Sequence, residues 1–261
     1  MADELAGAVA VVVGAGSSGE AVSNGEAAAR TFAAEGAAVL AVDRDGAEAE
    51  RVAALVEAAG GRAVAVRADA TDPEAMSRVV RRCLADLGPP SVLHNNVGLA
   101  RLGGLEDLDA GDWDRALSVN LLSAVVACRA VVPVMVAHGG GSVVNVSSVA
   151  STRSTGYDYL AYGVAKAALN RLTAGLALEY ADRGVRVNAV LPGLIDTPMA
   201  RRLHAEQGGG DLSARDAASP TGAMGTVWDV ANAALFLASP RAAYVSGVCL
   251  PVDGGLSARA G

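Results

Sequence analysis

Short apolar runs alternate with alanine-rich or amphipathic stretches along the whole chain. Ala8–Val13 (AVAVVV) is apolar throughout and runs into glycines, the pattern of a fully buried strand entering a turn. Gly25–Glu35 then carries Ala27, Ala28, Phe32 and Ala33 at helical spacing and stops at Gly36. Ala37–Val42 reads as a second buried strand, closed by Asp43. Gly46–Ala59 reads as a helix ended by Gly60 and Gly61, and Ala63–Arg67 as a third strand. Thr71-Asp-Pro-Glu74 starts the next helix. Either Thr71 and Glu74 form a capping box, or Asp72 caps with Pro73 in the first turn. That helix runs to about Leu87, where Gly88-Pro-Pro90 breaks it.

The second half repeats the alternation. Ser91–His94, Ser142–Val146, Val185–Val190 and Val248–Val252 read as strands. Trp113–Ala137, Tyr159–Ala181 and Trp228–Leu237 read as helices, and Pro133 predicts a kink or break in the first of them. Residues 198–224 read as irregular and glycine-rich. Strands separated by helices predict an α/β fold. It is one doubly wound domain, residues 1–261, with a seven-stranded parallel sheet covered by helices on both faces. The stretch 121–132 (LLSAVVACRAVV) is apolar almost all round. One sheet face cannot cover it, which points to a subunit interface.

Composition narrows the function. With 52% apolar and 19% charged residues, 261 residues bury a sizeable core. The net charge is −7 and the only basic pairs, Arg81–Arg82 and Arg201–Arg202, are isolated, so no nucleic-acid partner is expected. No run approaches the ~18 uninterrupted apolar residues of a membrane span, and no membrane association is expected. The start, Met1-Ala-Asp-Glu-Leu, lacks the basic region of a signal peptide. Cys83, Cys128 and Cys249 are scattered, as are His94, His138 and His204, so neither a disulfide framework nor a metal site is expected. These features predict a cytoplasmic protein. Of 21 basic residues, one is lysine: Lys166.

The first candidate chemistry is the glycine-rich loop Gly14-Ala-Gly16-Ser-Ser-Gly19-Glu-Ala-Val-Ser-Asn24-Gly25. After a first strand, glycines let the backbone approach a pyrophosphate, and the next helix's N–H groups meet its charge. Asp43 ends the second strand. A carboxylate there accepts hydrogen bonds from adenosine ribose hydroxyls and repels a 2′-phosphate, which favours NAD over NADP. Arg44 pulls the other way, as a group suited to a 2′-phosphate.

Seven later features, in order, resemble the short-chain dehydrogenase/reductase family. They are Asn95-Asn96-Val97-Gly98, Asn120 in SVN, Ser147–Ser148 in NVSS, Tyr162-Gly-Val-Ala-Lys166, Leu191-Pro-Gly193, Thr197, and Leu250-Pro-Val-Asp-Gly-Gly255. The resemblance runs from about residue 7 to 256. It implies a Rossmann fold, a nicotinamide cofactor and a homotetramer. It also implies Asn120, Ser148, Tyr162 and Lys166 as the catalytic set. Ser148 would bond the substrate oxygen, Lys166 would also hold the nicotinamide ribose, and Asn120 would position a water in the proton relay. By the same resemblance Gly14, Ser17, Asn24, Gly25, Asp43 and Arg44 would hold the adenosine diphosphate half. Asp69 and Ala70 would lie at the adenine. Asn96, Val97 and Gly98 would line the cleft. Pro192, Gly193, Ile195 and Thr197 would lie at the carboxamide. Two departures stand out. Gly14 to Gly25 spans eleven positions, longer than the family's usual loop, and which of its residues touch phosphate stays open. Ser148 to Tyr162 spans 14 positions, slightly more than usual, which keeps Ser147 in play beside the preferred Ser148.

Tyr162 and Lys166, at i and i+4, project from one helix face. A tyrosine titrates near ~10, and an ammonium about 4 Å away at an effective dielectric of ~20 favours its phenolate by roughly 4 kcal/mol. With desolvation opposing, the expected phenol pKa is ~7–8, suited to taking a proton from an alcohol or returning it to a ketone. Residues 149–158 and 194–224 are expected to cap the substrate, with Leu194, Met199, Leu203 and Met224 lining an apolar pocket and glycines 208–210 giving mobility. Tyr157 and Tyr159 read as pocket wall or surface. The expected activity is NAD-dependent interconversion of a small, partly apolar secondary alcohol and its ketone. The rival readings are an NADPH-linked 3-oxoacyl reductase and a nucleotide-binding regulator without turnover.

Overall fold

A computed structural model describes residues 3–17, 21–154, 156–206, 208–209 and 212–259. Seven strands form one parallel sheet: β1 (Val9–Val13), β2 (Ala38–Asp43), β3 (Arg62–Arg67), β4 (Val92–Asn95), β5 (Gly141–Val146), β6 (Val185–Pro192) and β7 (Cys249–Val252). Their order is β3-β2-β1-β4-β5-β6-β7, which completes the seven-stranded, doubly wound parallel sheet that the alternation of apolar runs and helices predicts. The strands are apolar on both sides because both sides are covered. Ala10 and Val12 of β1 enter one core cluster, while Val9, Val11 and Val13 enter the other. The first cluster is closed by α1 (Asn24–Ala34), α2 (Gly46–Ala58) and a late helix at Val227–Ala238. The second is closed by α3 (Pro73–Asp86) and α5 (Ser123–Ala137), with Ala177 of α6 (Leu160–Glu179) at its margin. Burying each such Val, Leu or Phe side chain stabilises the fold by roughly 1.5–3 kcal/mol.

The order reverses direction at β1, whose neighbours are β2 on one side and β4 on the other. In register, Val13 pairs with both Val42 and Asn95. Gly14, Asp43 and Asn96 therefore emerge together at the carboxyl edge, where such sheets open a crevice for ligands.

Helix starts follow local capping chemistry. Ser23, Asp45 and Asp72 accept first-turn N–H groups of α1, α2 and α3. For α3 the Asp72–Pro73 start is the one adopted. Two expectations fail. The predicted Trp113–Ala137 helix begins earlier, as α4 (Ala110–Leu117), and is interrupted not at Pro133 but by a π-helical turn over Ser118–Leu122 before α5. Pro133 and Arg129 are both exposed. The carbonyl that Pro133 leaves unpaired thus lies on the outer face, where water satisfies it and the helix runs on. Residues 198–224 are not irregular throughout. They hold α7 (Pro198–Glu206) and α8 (Ser213–Ala218), and α9 is the helix at Val227–Ala238. Gly210 of the glycine run lies outside the described residues. The Ala110–Ala137 stretch is long and apolar enough to cross a membrane, with a mean hydropathy of 2.0, but 44% of that window is buried within the fold. Its inner face packs on α3 and on the sheet.

His94 of β4 is fully enclosed and meets Phe32 edge to face at 5.5 Å. Neither ring nitrogen has a hydrogen-bond partner, and burial pushes its pKa down to about 4. The folded chain keeps this ring neutral, while the unfolded chain protonates it below about 6.5. Stability is therefore lost as pH falls from about 6.5 to about 4, by about 3 kcal/mol from this group. His94→Phe should unfold in urea with about 2–3 kcal/mol less difference between pH 7 and pH 4.5 than the parent shows. Identical pH dependence of the two proteins would contradict this account.

Candidate active site

The crevice is a cavity of about 530 Å³ along the carboxyl edge of the sheet. One end is built by β1, β2 and the loop after β1. Gly14 has a left-handed backbone, φ +82°, and packs against Val97. A Cβ on Gly16 would strike Glu48 at 2.6 Å, and one on Gly25 would strike the Gly14 carbonyl at 2.0 Å. Only glycines let this loop fold down onto the start of α1. Polar contacts fix it there. The Gly16 N–H donates to Asp43 Oδ2 at 2.9 Å, the Ser17 N–H to Glu48 Oε2 at 2.8 Å, and the Ser23 hydroxyl to the Gly16 carbonyl at 2.7 Å. Asn96 Nδ2 ties the same loop to the β4 end through the Gly14 carbonyl at 2.8 Å. Ser18, Gly19 and Glu20, part of the lengthened loop, lie outside the described residues. Asp69 receives both the N–H and the hydroxyl of Thr71, and these bonds hold its carboxyl below the usual carboxylate range.

The other end is built by α6, the end of β5 and the cap. Lys166 is 2% exposed, and its Nζ donates to the Val146 carbonyl at 2.8 Å. Burial pushes the ammonium down to about 7. Burial pushes the Tyr162 phenol up to about 12, with the facing Ser148 hydroxyl pulling the other way and Tyr159 adding to the rise. The expected phenol pKa of ~7–8 is therefore not met in this state. Lys166 Nζ stands 5.7 Å from the Tyr162 ring centroid, and the same burial that sharpens electrostatics disfavours both charges. Ser148 faces Tyr162, whereas Ser147 donates its hydroxyl to the Lys166 carbonyl at 3.2 Å. Tyr157 and Tyr159 stack at 5.4 Å, and Tyr159 meets Tyr162 at 5.7 Å. All three line the cavity.

Of the residues assigned to the catalytic set, the cofactor or the apolar pocket wall, all line this one cavity except Gly25, Asn120 and Met224. Gly25 sits behind the wall as a packing glycine. Met224 donates its N–H to Asp216 at 2.8 Å and does not line the pocket, while Leu194, Met199 and Leu203 do. Asn120, in the π-helical turn, clamps backbone. Its amide bonds both polar atoms of Leu99, at 3.0 and 2.8 Å, and the Ala116 carbonyl at 2.9 Å. Its Oδ1 and Lys166 Nζ both lie within 3.5 Å of the point a Cβ would take on Gly98, so that glycine leaves the space between them open. Gly16 and Ser23 fall within the quoted glycine loop but receive no individual role from it, and the spacing of motifs misses Glu48, Arg115 and Arg215. Glu48 and Arg215 reach the cavity from α2 and α8, and nothing in their local sequence marks them.

The cavity fits a nicotinamide dinucleotide. It joins a cradle that side chains would fill, a helix start, and the carboxylate at the end of β2 to a Tyr–Lys–Ser cluster. Asn24 Oδ1, at the helix start, is buried without a partner, as a ligand contact would explain. The family model described as enoyl-(acyl carrier protein) reductase matches residues 19–257. The chain is 37% identical over 257 residues to the 2,5-dichloro-2,5-cyclohexadiene-1,4-diol dehydrogenase of Sphingobium indicum, covering 98% of this chain and 99% of that protein. It is 39% identical over 261 residues to the cis-4-hydroxycyclohexanecarboxylate dehydrogenase of Sinomonas cyclohexanicum, covering 99% and 100%. The solved structure of 7α-hydroxysteroid dehydrogenase with NADH and 7-oxo glycochenodeoxycholic acid matches with a TM-score of 0.88 at 31% identity, covering 97% and 96%.

Gly25→Ala tests the cradle. The added methyl group cannot be accommodated against backbone without moving α1, so the variant should lose roughly 1–3 kcal/mol of stability. It should also bind NAD more weakly. Thermal melts and an NAD titration check both; an unchanged melt and affinity would show that α1 and the loop are not in close contact.

Proposed function

The chain belongs to the short-chain dehydrogenase/reductase family, and on that footing we propose that it is an NAD-dependent oxidoreductase interconverting a secondary alcohol and its ketone. One observation carries this reading: Ser148, Tyr162 and Lys166 converge at one end of a cavity whose other end is the Gly14 loop and Asp43. When bound, nicotinamide supplies the hydride chemistry. The protein's residues handle the oxygen and its proton. The Ser148 and Tyr162 hydroxyls hold the substrate oxygen. In reduction, Tyr162 gives its proton to the forming alkoxide, and its high pKa keeps that proton in place at neutral pH. The protonated Lys166, anchored on Val146, stabilises the phenolate left behind. Oxidation runs the same transfer backwards. A water between Asn120 Oδ1 and Lys166, in the space beside Gly98, passes the proton onward. Asp69 and Ala70 flank the adenine, and Ile195 and Thr197 hold the carboxamide.

Two carboxylates support NAD over NADP. Asp43 and Glu48 both line the loop end of the cavity, where a 2′-phosphate would meet their charge. Arg44 also lines it, but its charge acts on Asp69. The 3-oxoacyl reductase reading, which wants a basic residue in the glycine loop, has less support, because residues 14–25 contain none. The π-helical turn before α5 and the outer face of α6 leave Leu122, Val164 and Leu178 exposed, which supports a homo-oligomer, and the family supports a homotetramer. The three free thiols suit the cytoplasm.

Tyr162→Phe should lower kcat on mixed secondary alcohols by about 10²–10⁴-fold while leaving the NAD affinity within about threefold. Unchanged turnover would reject the assignment. Asp43→Ala should weaken NAD and narrow the NAD over NADP preference in kcat/KM by about tenfold or more. If that ratio stays put, the ribose is read elsewhere.

A further inference from the structure

The chemistry above makes no use of Arg215. It stands on α8 in the cap, 5% exposed, and lines the cavity beside Tyr157 and Tyr159. Its guanidinium carbon lies 5.0 Å from the Tyr157 ring centroid, and one edge of the guanidinium bonds the Tyr159 hydroxyl, whose pKa burial raises and this arginine lowers. Its Nε and Nη1 are buried without any hydrogen-bond acceptor. The carboxylates close by are committed elsewhere. Asp196 holds Arg201 at 2.6 and 2.7 Å, feeling Arg215 only as a charge, and Asp216 accepts the Met224 N–H. An arginine stays charged in proteins, and burying its donors unpaired is costly. Such a group in a ligand cavity calls for an acceptor from the ligand.

A second observation agrees. Charge along the cavity is unevenly divided. Asp43, Asp45, Glu48 and Asp69 line the end at β2 and β3, with Arg44 as the one cation among them in the described lining. The end built by α4, α6 and the cap carries Arg115, Lys166 and Arg215, with no carboxylate among the described lining residues.

The geometry points to a substrate that bears a carboxylate as well as its secondary alcohol: a hydroxy acid, or the matching keto acid, whose carboxylate accepts from Arg215. The stacked tyrosines and Leu194, Met199 and Leu203 enclose the carbon frame between the two ends. A guanidinium suits this task because its donors are rigid and its charge is permanent. The inference rests on the alcohol–ketone reading of the same cavity and narrows its substrate class.

Its test uses cis-4-hydroxycyclohexanecarboxylate, the methyl ester of that acid, and cyclohexanol, each with saturating NAD. The acid should exceed the ester in kcat/KM by about tenfold or more. In Arg215→Gln that ratio should fall to about one, and Arg215→Lys should restore part of it. If the ester and cyclohexanol turn over as well as the acid, the carboxylate site is refuted while the alcohol reading stands. If none of the three turns over, both fail. A raised KM for NAD in Arg215→Gln, with the acid-to-ester ratio unchanged, would assign the guanidinium to the cofactor and overturn the inference. A measurement on the unmodified enzyme is independent of how the variants fold. Cyclohexanecarboxylate should bind the enzyme–NAD complex about tenfold more tightly than cyclohexanecarboxamide, and equal affinity would contradict the site.

Discussion

A single ammonium group, sealed under the cavity floor and held by one backbone carbonyl, sets the terms for this molecule. Lys166 is buried because α6 packs across β6 and the turn at Val149–Ser151, which puts its side chain within reach of the Val146 carbonyl at the end of β5. In that dry setting its charge is expensive and its proton labile near neutrality. The same dryness raises the neighbouring phenol. Neither group is tuned alone. In the proposed reaction each acts through a substrate oxygen that shares the proton, and burial favours the uncharged form of both groups. Preorganisation thus takes the form of a fixed geometry with an adjustable protonation state.

The sheet makes this placement possible. Parallel strands buried on both faces deliver their carboxyl ends to one edge, and the change of direction at β1 opens the crevice there. Polar groups in the core are spent on holding that edge still. Asn95 donates to Asn145, Asn145 to Thr173, and Thr173 to the Leu169 carbonyl, a buried chain that links β4, β5 and α6 beneath the site. Asn120 does the same for the segment at Leu99. Gly193 lets the end of β6 close on Asp253, where a Cβ would approach to 2.6 Å.

The strands were legible in the sequence because a run such as AVAVVV suits only a position covered on both sides. Helix ends came within a few residues, since Asp72, Gly36 and Gly60 act locally. What stayed hidden depends on partners distant in the chain. Pro133 reads as a helix breaker until its neighbours prove solvent-facing. The helices in 198–224 are short, nine residues in α7 and six in α8, too brief for a period to stand out between glycines. Glu48 reaches the loop across 31 positions, and Arg215 gains meaning only from the tyrosines it lies against. The largest misjudgement concerns Tyr162. Its spacing from Lys166 correctly implies a shared face, but how deeply both are buried, and hence which way their proton affinities move, is not written in a spacing.

The most direct examination of this account uses the fact that the chain has one lysine. Protein grown with lysine labelled by ¹³C at Cε gives a single side-chain resonance, which can be followed through pH in the cofactor-free enzyme. A midpoint near 7 is the outcome that a buried, carbonyl-held ammonium requires. A midpoint above about 10, the range of an exposed lysine, would mean that Lys166 faces water, and the proposed proton chemistry would lose its foundation.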